Sequence, residues 1–262
     1  MTIHFVGAGP GAADLLTVRA VRLLESADVC LYAGTYLDED ILGHCRPGAR
    51  LVDTQGLDLD KITTTLVEAA HAGESVVRLC SGDPSVYSAL AEQTGRLDSA
   101  GVQWDVTPGV AAYAAAAARI GSELTVPELA QTVILTRAQA RSTRMPQTEA
   151  LARLAESRAT LVLHLAITRT RTVCAELVPA YGIECPVVVV ANASRPDELV
   201  LRGTLADIAD QVEAEGLRKA AVILVGPALG VRDSGDVVGS HLYDPSRDRQ
   251  ASLVDGPDTA AR

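Results

Sequence analysis

A glycine-rich segment close to the N-terminus has the residue types that bring backbone N–H groups up against a ligand. Gly7, Gly9 and Gly11 nearly complete the G-x-G-x-x-G/A spacing that cradles the pyrophosphate of a dinucleotide. In such sites the next helix begins inside the glycine motif, so that its first N–H groups meet the phosphate. Here the helical pattern begins only at Thr17, whose hydroxyl is suited to cap it, and the phosphate geometry is lost.

The end of the second predicted strand also argues against a dinucleotide. A carboxylate is expected there to hydrogen-bond the ribose, but Gly34 and Thr35 occupy that place. NAD is therefore disfavoured, although an NAD enzyme stays open as an alternative. The glycines still let backbone approach a ligand closely, and Pro10 stiffens that approach. Taken alone, the segment is equally consistent with a tight strand-to-helix turn that binds nothing.

Two later segments also place small residues where a strand ends. In RLCSGDPSVYSAL a strand is followed by a Ser-Gly turn, and Asp83 and Pro84 are typical of the cap and first position of a helix. In TPGVAAYAAAA a Pro-Gly pair at 108–109 precedes residues so small that a ligand could lie against the backbone. Each segment is also consistent with a well-formed turn and nothing more.

Apolar strand-like runs alternate with helical patterns along most of the chain. The runs IHFVGA, DVCLYA and SVVRLC are each followed by a helical pattern, which is typical of βαβ units and a largely parallel sheet. Six more strands are predicted, at VQWDVTP, TVILTR, ATLVLHLA, CPVVVVANA, LVLRGTL and AAVILVGPAL. The strands from LVLRGTL onward favour antiparallel pairing.

The middle of the chain marks a boundary between two domains. An Ala-rich helix is followed by a Gly-Ser pair and a proline, which places the crossing near residues 112–125. We therefore predict an α/β protein with two α/β domains, residues 1–115 and 116–245, that face each other across a ligand-binding cleft. The polar tail at 246–262 lacks periodicity and is predicted to be disordered.

Composition excludes several classes of partner. The formal net charge of −10 and the scarcity of Trp, Tyr and Phe leave no broad platform for nucleic acid. No apolar run reaches the roughly 18 residues of a membrane span and no targeting signal is visible, so we expect a cytoplasmic protein. The five cysteines form no C-x-x-C pair and no His has metal-site spacing, which predicts reduced thiols and no metal.

Four segments together resemble the tetrapyrrole methyltransferases, which use S-adenosylmethionine. In the order and spacing typical of that family, the chain contains GAGPGAADLLTVRA, RLCSGDPSVYSAL, TPGVAAYAAAA and CPVVVVANASRPDELVLRGTL. The resemblance covers roughly residues 2–243. It implies the tetrapyrrole methylase fold, a cofactor folded tightly in a cleft between two α/β domains, and a homodimer.

Two further segments narrow the resemblance to one branch of the family. YAGTYLDEDIL and ELTVPELAQTVILTRAQARSTRMP are similar to the enzymes that methylate ring carbon 11 of precorrin-4, giving precorrin-5 in cobalamin biosynthesis. Methylation of another ring position or of cobalt-precorrin-4 stays open. So do a ribosomal RNA or diphthine methyltransferase, although acidic charge argues against RNA, and a noncatalytic protein that binds S-adenosylmethionine.

The resemblance also implies nine cofactor-binding positions. They are Pro10, Ser81, Gly82, Asp83, Val86, Ala111, Ala112, Leu165 and Ala193. Ser81 replaces the first glycine of a Gly-Gly-Asp contact loop, and Ala193 replaces a common glycine. Ala111 and Ala112 stand where relatives carry Thr or Ser with Ala. Leu165 matches the Met or Leu that lies against the adenine.

Positive charge on an acidic chain indicates where a polycarboxylate substrate binds. Arg137, Arg141 and Arg144 fall at i, i+4 and i+7 in a stretch without acidic residues, on one face if the stretch is helical and as a positive island if it is a loop. Arginine suits bidentate binding of carboxylates, although a solvated basic face is the alternative. Tyr36 and Tyr87 could line the macrocycle or simply pack.

No catalytic residue is assigned from the sequence. Methyl transfer from a sulfonium to a nucleophilic ring carbon depends on alignment and exclusion of water more than on a strong base. The chain has no Ser-His-Asp or paired-carboxylate pattern that suggests catalysis. His164, next to the predicted adenine contact, either touches the site or is a hydrogen-bonded core histidine.

Overall fold

Two five-stranded sheets, each covered by helices, form the protein in this computed structural model. The structure describes residues 1–34, 39–138, 144–231 and 239. The predicted α/β class is confirmed, and the predicted tail at 246–262 lies outside the described residues. Apolar clusters fill both faces of each sheet.

The first sheet is entirely parallel, with the strand order β3-β2-β4-β1-β5. Its strands are β1 (Ile3–Gly7), β2 (Val29–Tyr32), β3 (Arg50–Asp53), β4 (Val76–Cys80) and β5 (Trp104–Thr107). The helices between them are α1 (Val18–Ser26), α2 (Glu39–Leu42), α3 (Leu59–His71) and α4 (Leu90–Ser99). As predicted, Thr17 caps α1, because its hydroxyl accepts a hydrogen bond from the Ala20 N–H at 3.1 Å.

The second sheet is mixed, with the order β6-β7-β10-β8-β9. Its strands are β6 (Val133–Arg137), β7 (Thr160–His164), β8 (Pro186–Ala191), β9 (Leu199–Thr204) and β10 (Ala221–Val225). We call the first sheet with its helices the first half of the protein, and the second sheet with its helices the second half. The helices of the second half are α5 (Ala112–Ile120), α6 (Leu151–Ala155), α7 (Thr170–Tyr181) and α8 (Ile208–Ala214). β6 and β7 pair in parallel, whereas β7, β8, β9 and β10 pair antiparallel. The prediction of antiparallel pairing late in the chain is confirmed.

The helix α5 packs against the second sheet. Its buried residues Ala115, Ala116 and Ile120 share a cluster with Val162 of β7 and Val188 of β8. The predicted domain boundary at residue 115 therefore falls inside a helix that belongs by its packing to the second half. The division into domains 1–115 and 116–245 stays a prediction.

The turn after β4 differs from the prediction. The sequence predicts a helix capped by Asp83, but α4 begins only at Leu90. Tyr87 and Ala89 have φ angles of 54° and 53°, in the left-handed region, which interrupts any helix there. The Asp83 carboxylate accepts a hydrogen bond from the Gly109 N–H at 2.9 Å. It joins two loops instead of capping a helix.

The chain segments that follow β1, β4 and β5 cross at the carboxyl edge of the first sheet. A Cβ atom at Gly109 would lie 2.3 Å from the Gly82 oxygen, and one at Gly7 would lie 2.4 Å from the Gly109 nitrogen. Gly9 and Gly82 exchange backbone hydrogen bonds at 2.8 and 3.1 Å. We call Gly7, Gly82 and Gly109 the glycine junction. The expectation that Gly7 brings backbone against a ligand is corrected, because its close neighbours are other backbone segments.

The part of the chain that the structure describes contains no helix long and apolar enough to cross a membrane. Within the same ranges, no three His, Cys, Asp or Glu side chains gather where they could hold a metal ion.

We predict that Gly109→Ala destabilises the protein by about 2–3 kcal/mol, because the added methyl has to displace backbone in the glycine junction. Gly95→Ala is the control, since Gly95 lies on the exposed side of α4 with no atom within 4 Å of the added Cβ. That substitution should stabilise the fold by roughly 0.5–1 kcal/mol through helix propensity. Urea unfolding of both variants measures the difference, and equal effects would contradict the close approach.

Candidate functional site

A cavity of about 350 Å³ lies between the carboxyl edge of the first sheet and the second sheet. The first half contributes the loops after β1, β4 and β5. The second half contributes the ends of β7 and β8 and the start of β10, which meet at one edge because β10 runs antiparallel to both. The volume is in the range of small-molecule sites.

The structure brings together every cofactor position that the resemblance implies. All nine line this cavity: Pro10, Ser81, Gly82, Asp83, Val86, Ala111, Ala112, Leu165 and Ala193. Tyr87 and His164 line it as well. Residues from five separate segments of the chain thus converge on one space, as a common ligand requires.

Backbone strain is concentrated at this cavity. Eight non-glycine residues of the described chain have φ in the left-handed region. Four of them line the cavity: Tyr87, Leu165, Asn192 and Ala220. Such conformations cost energy and cluster where a precise ligand geometry is maintained. Leu165 is 63% exposed although it is apolar, so its side chain offers a bare surface to a ligand.

The loop after β4 is fixed by Asp83. Its carboxylate accepts hydrogen bonds from the Ser85 N–H at 2.8 Å and the Gly109 N–H at 2.9 Å, and one from the Ser85 hydroxyl. Partial burial by itself would raise the pKa of Asp83, but these hydrogen bonds together hold that pKa below its ordinary value. Asp83 therefore remains an anion at neutral pH and ties the cavity wall to the glycine junction.

His164, at the end of β7, lies between two tyrosine rings. Its ring centroid is 5.6 Å from that of Tyr87 and 6.5 Å from that of Tyr113. Burial lowers the pKa of His164, so the imidazole is neutral at pH 7. Its Nε2 atom is buried and has no hydrogen-bond partner among the described residues. The structure places His164 on the cavity with its Nε2 unpartnered, and its role as a site residue stays a prediction.

The predicted arginine cluster is only partly visible. Arg141 and Tyr36 lie outside the described residues. Arg137 ends β6, so the helical interpretation is wrong for it, and it lines a neighbouring pocket instead of the cavity. Arg144 is exposed in an irregular segment. Burial raises the pKa of Tyr87, the positive charge of Arg137 partly offsets this shift, and the negative charge of Glu149 adds to it, so both charges act on Tyr87.

Three cationic residues that the sequence reasoning missed line the cavity: Arg195, Arg218 and Lys219. Asp83 is the only carboxylate among the described lining residues. Gly11 faces the Arg195 side chain, since a Cβ there would lie 2.5 Å from Arg195 Cγ. Arg195 Nε is 3.4 Å from Asp197, an ion-pair distance without hydrogen-bond geometry. The sequence signal that could have found Arg195, Arg218 and Lys219 is their position just after or just before an apolar strand.

The cavity thus has small residues along one wall, an apolar surface at Leu165, and cations at its second-half rim. No nucleophile paired with a base occurs among the described lining residues. The arrangement is suited to binding and aligning two ligands, and the buried, unpartnered His164 Nε2 offers one of them a hydrogen-bond partner. It therefore favours a transfer reaction that depends on orientation.

Comparison with known proteins places these features in context. The sequence profile for tetrapyrrole (corrin/porphyrin) methylases matches residues 2–209. A precorrin-4 C(11)-methyltransferase of Rhodococcus erythropolis is 53% identical over 249 residues, covering 95% of this chain and 99% of the relative.

Two solved structures are also similar. The X-ray structure of a cobalt precorrin-4 methyltransferase matches with a TM-score of 0.84 at 41% identity, covering 87% of this chain and 95% of the other. A uroporphyrin-III C-methyltransferase from Thermus thermophilus, in complex with S-adenosylhomocysteine, has a TM-score of 0.73 at 30% identity. That match covers 88% of this chain and 94% of the other.

We predict that Asp83→Asn lowers the free energy of unfolding at pH 7 by about 1 kcal/mol, because its partly exposed hydrogen bonds lose their charge. The pKa of Asp83 is lower in the folded protein than in the unfolded chain, where it is near 3.9. The charged carboxylate therefore stabilises the fold above about pH 3.9, and this stabilisation is lost as the pH falls through the folded-state pKa. The difference between wild type and variant in urea unfolding should therefore shrink toward about pH 3.

The control for this pH dependence is Asp105→Asn, the same change at a half-exposed carboxylate on the edge strand β5. It should have a smaller effect at pH 7, since Asp105 joins no loops together. A stability difference for Asp83→Asn that is the same at every pH would contradict the role of the charge.

Proposed function

The chain belongs to the tetrapyrrole (corrin/porphyrin) methylases, and on that premise we propose that it methylates ring carbon 11 of precorrin-4, giving precorrin-5. It is a methyltransferase, and S-adenosylmethionine is the proposed methyl donor. One observation carries the assignment of the site: all nine implied cofactor positions line the same cavity, whose rim is cationic on a chain of net charge −10.

The residues of the cavity fit S-adenosylmethionine. When bound, the cofactor supplies a methyl group on a positively charged sulfur. Gly82, Ala112 and Ala193 leave room for it along the backbone, and the exposed Leu165 side chain suits the face of an adenine ring. Asp83, an anion held in the wall, adds negative charge close to a cationic ligand.

The proposed substrate is a polycarboxylate, and the rim supplies the opposite charge. Arg195, Arg218 and Lys219 concentrate positive charge on a chain that is acidic as a whole, which attracts an anionic ligand to this face. Arginine can also bind a carboxylate with two hydrogen bonds. Arg137 at the end of β6 extends the positive region toward Tyr87.

The contribution of the chain to catalysis is alignment and exclusion of water. The substrate's ring carbon is itself nucleophilic, so a strong base is not required to start the reaction. Tyr87 and His164 line the cavity, and the Tyr113 ring packs against His164 from the other side. His164 Nε2 has no partner among the described residues, and in the tautomer that leaves Nε2 unprotonated it would accept a hydrogen bond or a proton from a ring N–H.

Cobalt-precorrin-4 is the second candidate substrate, because the similar X-ray structure carries that name. Precorrin-4 itself is preferred, since the relative named for it has the higher identity, 53% against 41%. The homodimer and the cytoplasmic location stay predictions from the resemblance and the composition.

The proposed activity predicts the position of one new methyl group. Purified protein is supplied with precorrin-4 made in situ and S-adenosylmethionine carrying a ¹³C methyl, and the product is analysed by carbon NMR. Label on ring carbon 11 is expected, because the proposed reaction forms a single carbon–carbon bond there.

The other outcomes separate the alternatives. Label on another carbon keeps the family and overturns the ring position. No label from precorrin-4, but label from cobalt-precorrin-4, identifies the second candidate. Stabilisation by S-adenosylhomocysteine without any labelled product favours a noncatalytic binding protein, whereas stabilisation by NAD alone overturns the cofactor.

Loss of positive charge near the cavity should weaken substrate binding and leave cofactor binding nearly unchanged. We predict that Arg218→Ala combined with Lys219→Ala at the rim, and Arg137→Ala in the neighbouring pocket, each raise the KM for precorrin-4 by about tenfold. The Kd for S-adenosylhomocysteine, from calorimetry, should change by less than about threefold. Arg171→Ala, which removes an exposed cation paired with Asp210 and Glu213, is the control. Equal effects in control and rim variants would exclude a specific role.

A further inference from the structure

A buried cation, Arg78, lies in the middle of the first sheet and does not line the cavity. Arg78 in β4 is only 8% exposed. Within the described ranges its guanidinium has no carboxylate within ion-pair distance, and its hydrogen-bond acceptors are neutral: Gln93 Oε1, Thr54 Oγ1 and Leu79 O, at 3.2–3.3 Å. Removing a charge from water without pairing it is costly, so the structure must gain something from this contact.

The main hydrogen-bond partner of Arg78 is the side-chain amide of Gln93, which also contacts the backbone of another segment. Gln93 of α4 is 2% exposed. Its oxygen accepts from Arg78 Nε, while its NH₂ group donates to Ser88 O at 3.1 Å and Ala89 O at 3.3 Å. Because a guanidinium has donors only, it forces the amide oxygen toward itself and the NH₂ group toward those two carbonyls. The orientation of Gln93 is thus fixed by Arg78.

The two carbonyls belong to the irregular segment that carries Tyr87 to the cavity. Tyr87 and Ala89 both have left-handed φ angles, which interrupt helical hydrogen bonding before α4. Ala89 O also accepts the first hydrogen bond of α4, from the Gln93 backbone N–H at 3.2 Å. Besides the bonds from Gln93, the segment is closed by the Ser88 hydroxyl, which donates to Pro84 O. Relaxation of this backbone would move Tyr87 away from His164.

The preceding part of the loop is held independently. Gly82 is bridged to Gly9, and Asp83 is bound to Gly109. Loss of the amide contact should therefore release the Tyr87 segment while leaving the proposed cofactor contacts at 81–83 in place.

A second hydrogen bond of the Arg78 guanidinium connects it, through Thr54, to the end of β2. Arg78 Nη1 donates to the Thr54 hydroxyl, which donates in turn to Tyr32 O at 3.0 Å. The chain segments after β2 and β4 both leave the sheet at this carboxyl edge. One buried guanidinium thus links β4 to the residue after β3 and, through its hydroxyl, to the last residue of β2.

We propose that Arg78 and Gln93 are positioning residues, which hold the Ser88–Ala89 backbone so that Tyr87 lies against His164 at the cavity. They act through Tyr87 and touch neither ligand. The kinetic consequence rests on the proposed methyltransferase function, whereas the structural consequence concerns the ligand-free protein alone.

The test is Gln93→Glu, which keeps the side-chain shape and the acceptor for Arg78 but loses both donors to Ser88 and Ala89. In ligand-free protein, NMR titration of His164 should then give a pKa raised toward about 6.5, because the ring loses the cover of Tyr87. Tyr87→Ala should raise it in the same way, and the double variant no further. The His164 signal is assigned with His164→Gln.

Gln211→Glu is the control for the same substitution on the second sheet, where Gln211 donates its NH₂ group to the backbone carbonyl of Arg202 at 3.1 Å and to the Asp207 carboxylate at 2.9 Å. It should leave the pKa of His164 unchanged. If Gln93→Glu fails to fold, Arg78→Met combined with Gln93→Leu replaces the polar pair by apolar groups and removes the same two donors. An unchanged pKa of His164 in the folded variant would overturn the proposal.

Kinetics supply a second readout that a purely structural role would not produce. Gln93→Glu and Tyr87→Ala should each raise the KM for precorrin-4 about tenfold with the same value in the double variant, and leave the Kd of S-adenosylhomocysteine within about twofold. Additive effects would mean that Gln93 does not act through Tyr87. Failure of the proposed function would appear differently, as an inactive wild type whose His164 still responds to Gln93→Glu.

Discussion

Three backbone segments meet at the carboxyl edge of the first sheet at distances that exclude any side chain between them. Gly7, Gly82 and Gly109 follow or end three adjacent strands, and each would place a Cβ atom against, or close to, the backbone of a neighbouring loop. Because these strands are parallel and adjacent, their loops leave the sheet side by side. The close crossing aligns the loops into one wall, and Asp83 fixes that wall through its hydrogen bond from Gly109.

The cavity exists because the second sheet presents a complementary edge to this wall. β7 and β8 end, and the antiparallel β10 begins, at that edge. The short turns there place Leu165, Asn192 and Ala220 in left-handed conformations, which expose backbone and side chain toward the opposite half. The helix α5 connects the halves, because it starts at the cavity with Ala112 and packs its buried face on the second sheet.

Charge is distributed unevenly across this arrangement. The chain is acidic overall, yet three cations line the cavity and one anion, Asp83, is held in its wall. A further cation, Arg78, is buried below the cavity among neutral acceptors. A base kept neutral by burial, His164, faces the same space. Such separation of charge fits the cationic cofactor and the anionic substrate that we propose for this cavity.

The sequence by itself determined the alternation of strands and helices, the cap at Thr17, and nine positions that prove to share one cavity. Local patterns suffice for the strands, the helices and the cap, because apolar runs and caps depend on near neighbours, whereas the nine positions were implied by the resemblance to a known family. It did not predict β3 and α3, since the edge strand β3 is mostly exposed and lacks an apolar run. Only the tertiary structure decided the non-helical turn after Asp83, the cationic rim at Arg195, and the link from Arg78 to Tyr87. Each of these depends on atoms from distant parts of the chain, and sequence spacing carries no record of such contacts.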